Sequence, residues 1–148
     1  MRIDEAIKAK FRNIEHKTAV NLIFTAHWLE DYFSETLKSY DLTHQQFNVL
    51  RILRGSFPMP LTQREIRERM IDKMPDVSRM MEKLKYKGLI NCILSPSDRR
   101  NNQITISEKG LELLSSIDQI DKQIDKLFDG FSQEELLRFN EFMDKLRR

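Results

Sequence analysis

The stretch from Leu61 to Ser107 constrains this chain more than any other, because distinct local signals follow one another there without a spacer. Thr62, with Glu65 three residues on, has the pattern of a capping box and starts a short helix through Ile66 and Met70. The turn Ile71-Asp72-Lys73-Met74 leads to Pro75, which a helix tolerates in its first turn. The next helix is therefore expected at about 75–87, with Val77, Met80, Met81 and Leu84 facing inward. Gly88 is a natural C-cap. Strands are expected at about 89–94 and 103–107. Between them, Ser97-Asp98-Arg99-Arg100-Asn101-Asn102 is basic and rich in turn-forming residues.

The flanks are helical. Residues 4 to about 39 contain no Pro or Gly, and apolar residues recur at Ile3, Ile7, Phe11, Ile14, Leu22, Ala26, Leu29, Phe33, Leu37 and Tyr40. One helix of that length would run roughly 50 Å. That is more than a lone domain covers, so part of the stripe is expected to meet a second chain. The alternative is a bent helix packed within one domain. Thr43 with Gln46 forms another capping box, ahead of a helix carrying Phe47, Val49, Leu50, Ile52 and Leu53 and ending near Gly55. Ser56 to Pro60 reads as a rigid loop. Ser107 with Gly110 opens a further long helix to about 128, striped by Leu113, Leu114, Ile117, Ile120, Ile124 and Leu127. Gly130 ends it. Ser132 with Glu135 caps a last helix that places Leu136, Phe139, Met143 and Leu146 inward.

Composition excludes several classes. The 148 residues fit one domain with a substantial core. No apolar run approaches the ~20 residues of a membrane span, and no apolar segment of signal-peptide type follows the N-terminus, so a cytoplasmic protein is expected. A single cysteine, Cys92, leaves no disulfide framework and no multi-cysteine zinc site. His16 and His27 are too far apart on one helix to share a metal. There is no Gly-x-Ser-x-Gly, phosphate loop or His-Glu-x-x-His, so neither an enzyme nor a cofactor is expected. Residues 51–103 carry 12 Lys and Arg against 6 Asp and Glu, while the remainder carries 13 against 17. A basic middle between acidic flanks suits a polyanion.

A helix pair followed by a hairpin with an arginine tip is a winged helix-turn-helix. The expected fold is mainly α with a small β-hairpin wing: a winged lobe at about 43–107 and dimerisation helices at about 1–40 and 108–148, in one domain. The second helix of the pair suits a DNA major groove and the wing suits the adjacent minor groove. Ser78 and Arg79 lie in the first turns of that helix, where base edges are reached, while Lys83, Lys85 and Lys87 lie later and suit phosphates. Asp76 has two readings: it complements the positive N-terminus of its helix, or it accepts a hydrogen bond from cytosine N4.

From Leu84 onward the chain resembles the MarR (multiple-antibiotic-resistance regulator) family of transcription factors. The family pattern is met by Leu84-Lys85-Tyr86-Lys87-Gly88-Leu89-Ile90, then Asp98-Arg99-Arg100, then Ile104-Thr105-Ile106-Ser107-Glu108-Lys109-Gly110. The order of elements agrees over the whole chain. The resemblance implies a homodimer whose two winged lobes read a pseudo-palindromic duplex, and usually a repressor released by a small phenolic or lipophilic ligand, or by cysteine oxidation. The family's Asp-x-Arg pattern selects Arg100 as the minor-groove probe, with Asp98 as its positioner. On an extended tip, Arg99 would then face the lobe or a phosphate. Two departures stand out: Cys92 where arginine is frequent, and Met74-Pro75-Asp76 where small hydroxyl residues are common.

The resemblance implies an effector pocket between the dimerisation helices and the lobe, which would draw on Trp28, Tyr32, Phe33 and Phe47, with His27 and Arg51 to orient an acid; the competing reading is plain core. Cys92 is read as structural, since no helix N-terminus or evident cation accompanies it. Two other classes stay open beside the DNA-binding regulator: a winged helix used as a protein-interaction module, and a ligand-binding dimer without DNA affinity.

Overall fold

The computed structural model describes every residue except Ala9, Met74 and Pro75, and leaves out the side chain of Arg99. The expected role of Pro75 at a helix start, and the direction of Arg99, thus lie outside the described residues. Among the described residues, eight α-helices and one hairpin follow in the order α1 (Ile3–Ile7), α2 (Ile14–Leu37), α3 (His44–Ser56), α4 (Gln63–Arg69), α5 (Val77–Tyr86), β1 (Ile90–Ile93), β2 (Gln103–Ile106), α6 (Glu108–Ile117), α7 (Gln119–Lys126) and α8 (Gln133–Leu146).

The first helix is not continuous. Lys8 turns left-handed (φ 48°), and Asn13 takes an extended conformation in which its side chain accepts the His16 N–H at 2.9 Å. An asparagine offers the backbone this alternative to continuing a helix. The short α1 folds back so that Asp4 meets Lys17 at 2.7 Å, while the same ammonium sits 5.5 Å from the centre of the Phe11 ring. The Lys17 hydrogen bond holds the Asp4 carboxyl below its usual value. With 24 residues, α2 spans about 36 Å rather than 50.

Three predicted capping boxes form. Thr43 and Gln46, Thr62 and Glu65, and Ser132 and Glu135 each exchange side-chain and backbone hydrogen bonds at the starts of α3, α4 and α8. The expected helix at 107–128 divides at Asp118 into α6 and α7. At this division the two arginines of α3 reach across: Arg54 to Asp118 at 2.8 Å and Arg51 to Asp121 at 2.9 Å.

The core spans the winged lobe and the ends of the helices that flank it. Leu37, Leu50, Leu53, Ile66, Leu84, Ile104, Leu114 and Ile117 lose essentially all exposure, drawing every helix from α2 to α6 onto one hairpin. The strands pair antiparallel with Ile90 opposite Ile106 and Cys92 opposite Ile104. Leu61 adds a one-residue third strand, exchanging both backbone hydrogen bonds with Ile104 at 2.8 and 2.9 Å. Outside the lobe, α8 buries none of its residues in the single chain. Phe139 and Leu146, expected inward, are exposed, as are Leu137 and Phe142.

Candidate nucleic-acid interface

The amphipathic α5 is the centre of the site. Val77, Met80, Met81 and Leu84 are buried, which turns Ser78, Arg79, Glu82, Lys83, Lys85 and Tyr86 to solvent. Asp76 is the N-cap, accepting the Arg79 N–H at 3.2 Å. That bond gives the aspartate a structural task and favours the first of its two readings. At the other end Gly88 takes φ 72°, and the Leu89 N–H reaches the Leu84 carbonyl at 3.0 Å, closing the last turn.

The motif downstream of the wing locks this end in place. The Ser107 hydroxyl donates to the Gly88 carbonyl at 2.6 Å and accepts the Gly110 N–H at 3.0 Å. Lys109 donates to the Lys87 carbonyl at 2.9 Å. A Cβ on Gly110 would stand 2.4 Å from the Leu89 oxygen, so only glycine allows this approach of α6. The separated sequence pieces Gly-Leu-Ile and Ser-x-x-Gly thus form one joint.

The projecting side chains do not all take the expected place. The Ser78 hydroxyl donates to Gln63 Oε1 at 2.9 Å and ties α5 to α4. Lys87 folds back, donating to the Asp41 carbonyl and pairing with its carboxylate at 3.2 Å. That places Lys87 behind the exposed face, with Asp41 at φ 52° as its partner. Arg79, Lys83 and Lys85 remain on the open face.

Three grooves flank the ridge made by α5. One of about 450 Å³ lies between α4, the start of α5 and the wing, with Arg64, Arg67 and Arg100 among its walls. A second, of about 440 Å³, is lined by Gln45, Asp76, Arg79 and Lys83. A third, of about 350 Å³, separates α5 from the hairpin and is bordered by Ser78, Glu82, Lys85, Cys92 and Arg100. A cationic ridge between cationic grooves matches a helix in a major groove with phosphate strands on either side.

The wing tip is a 3-10 turn at Arg99–Asn101, not an extended segment. Alternation along a strand therefore does not assign its two arginines. What does is Asp98, whose carboxylate accepts the Arg100 N–H at 2.9 Å and lies 3.9 Å from its guanidinium. The Arg100 side chain is 91% exposed. Asn102 is buried and accepts the Ser95 N–H at 2.8 Å, pinning the base of the turn.

Sequence reasoning missed Gln63, Arg64 and Arg67. Their signal was present, since the Thr62 capping box puts them in the first turns of α4. It also missed Tyr86, 95% exposed on the outward face. The residues expected in an effector pocket take part in several separate contacts. Phe47 is core and lies beneath Arg51, which is engaged with Asp121. Trp28 and Tyr32 pair at 6.1 Å on α2, Phe33 stacks on His44 at 5.0 Å, and His27 is exposed. Cys92 is half-buried against the core.

A profile described as the MarR family matches residues 42–101. An uncharacterized HTH-type transcriptional regulator of Bacillus cereus is 31% identical over 117 residues, covering 78% of this chain and 76% of that protein. The HTH-type transcriptional repressor IacR of Pseudomonas putida is 26% identical over 109 residues, 73% of this chain, and the match spans 64% of its length. Among solved structures, the MepR–DNA complex of S. aureus superposes with a TM-score of 0.75 at 23% identity, covering 86% of this chain and 92% of that one.

Proposed function

The chain belongs to the MarR family, and we infer that it is a homodimeric, sequence-specific DNA-binding regulator of transcription. The winged lobe at about 43–107 reads the duplex, and the helices at about 1–40 and 108–148 join two copies. The observation that carries this reading is the outward face of α5, a ridge bearing Arg79, Lys83 and Lys85 between grooves walled by Arg64, Arg67 and Arg100. Arg79 reaches base edges, Lys83 and Lys85 contact phosphates, and Arg100 enters the minor groove beside them. Ser78, Asp76 and Asp98 act by positioning.

Repression is the sign of control we favour, supported by the likeness to IacR, which is named a repressor. Release by a small aromatic or lipophilic effector fits the aromatic residues of α2, where Trp28 keeps 49% of its surface exposed. A cytoplasmic location follows from the role; among the described residues no helix is long and apolar enough to cross a membrane.

Selection of bound duplexes from a random pool tests the function. The expected product is a pseudo-palindrome with two half-sites about one helical turn apart, bound with an affinity that falls steeply with salt. A pool that shows no enrichment, together with capture of a protein on the same face, would establish the interaction-module reading instead.

A further inference from the structure

The acidic residues of α4, α5 and the wing nearly all hold something. Glu65 closes its capping box with Thr62. Glu68 pairs with Arg64 at 3.0 Å. Asp76 caps α5, and Asp98 binds the Arg100 amide. Glu82 differs. It lies in the middle of α5, on the outward face, and among the described residues it makes no hydrogen bond or ion pair. Arg79 precedes it by three residues and Lys85 follows by three, yet neither comes within ion-pairing distance. Ser78, one turn earlier on the same face, is fixed by Gln63.

A carboxylate in that place opposes phosphate binding, so as a mere surface residue it would weaken the function of the whole face. The major groove offers one compensation suited to an acceptor without a donor: the exocyclic amino group at N4 of cytosine. We propose that Glu82 is a specificity-determining residue, whose carboxylate accepts a hydrogen bond from cytosine N4 and so places a C·G pair at one position of each half-site. The same charge repels duplexes that present an acceptor there, which adds discrimination to attraction. This rests on the DNA-reading function stated above.

Base preference at each operator position, measured by competition with single-pair variants, tests it. Glu82 is exposed, so its variants should unfold at the wild-type temperature, and that is checked first. For the wild-type protein, C·G at one position per half-site should be favoured by roughly 5-fold or more. Glu82→Ala should lose that preference at that position alone, while binding to unrelated duplex rises. Glu82→Gln should move the preference toward A·T, because an amide pairs with adenine N6 and N7. A wild-type protein that selects no sequence would overturn the DNA-reading function itself. A wild-type protein with clear preferences that survive Glu82→Ala unchanged, or that weaken evenly at every position, would overturn only the role of Glu82.

Discussion

Arg100 is held by its neighbour more through the backbone than through charge. The 3.9 Å approach of the two side chains, one of them 91% exposed, is the kind of surface pair that contributes little. The 2.9 Å bond from the Arg100 N–H to Asp98 shapes the turn itself. Arg100→Ala should cost about 1–3 kcal/mol in operator affinity. Asp98→Ala should cost less, and little further once Arg100 is gone; Asp98→Asn, which can still accept the amide, should keep most of the wild-type affinity. Fluorescence anisotropy on the selected operator resolves the four variants from the wild type, and strictly additive losses in the double variant would separate the two residues. A second residue-level outcome concerns Glu65. The Thr62 amide, then its hydroxyl, hold the Glu65 carboxyl below its ordinary value. The capping contribution is therefore complete above the ordinary glutamate value of about 4.3 and is lost as pH falls through the lowered one. By NMR the Thr62 amide should titrate below the ordinary range in the wild type and stay flat in Glu65→Gln, which keeps the box without a titrating group.

At the level of elements, start signals were readable in the sequence and internal breaks were not. Thr43, Thr62, Ser107 and Ser132 each announce a helix through a local hydrogen bond, and local chemistry is what a sequence displays. The apolar stripe runs on through Asn13 and Asp118, so periodicity gave one helix where two stand. The break at Asn13 shows how its own side chain captures the backbone. At the division by Asp118 the contacts come from Arg54, which pairs with Asp118, and Arg51, which pairs with Asp121, both distant in sequence. The third strand at Leu61 was equally hidden, because a single bridged residue has no period. For the site, the identity of the outward face of α5 followed from Val77, Met80, Met81 and Leu84. The withdrawal of Lys87 to Asp41 did not, since it depends on a turn elsewhere in the chain. The joint between α5, β1 and α6 yields a stability prediction. Asp76→Ala should destabilise by ~1 kcal/mol through loss of a cap. Gly110→Ala should cost on the order of 1–3 kcal/mol, because the methyl group meets the Leu89 carbonyl. Urea unfolding of both variants should give that order; a neutral Gly110→Ala would mean that α6 can withdraw from the strand.

For the whole molecule, buried surface is concentrated around the hairpin, while α8 and much of α2 keep large apolar side chains exposed. Ile14, Ile23, Phe24 and Trp28 of α2 and Leu137, Phe139, Phe142 and Leu146 of α8 remain exposed in one chain. Monomeric proteins rarely leave contiguous apolar surface of this kind open. Light scattering should give twice 17.7 kDa at micromolar concentration, and Phe142→Glu should shift the population toward monomer while the lobe stays folded. A stable wild-type monomer would remove the basis for two half-sites at fixed spacing.

The exposed Arg100 has a consequence outside recognition, because an arginine exposed on a turn is also a cleavage site for trypsin. A cut after Arg100 leaves the strands paired below the tip, with Leu61 bridged to Ile104 on one side and Ser107 bound to Gly88 on the other. The nicked chain should therefore elute as one particle and separate into two fragments only on denaturation. Operator duplex should slow the cut, and it should do so less at high salt. Digestion followed over time then reports occupancy of the wing with no label and no substitution.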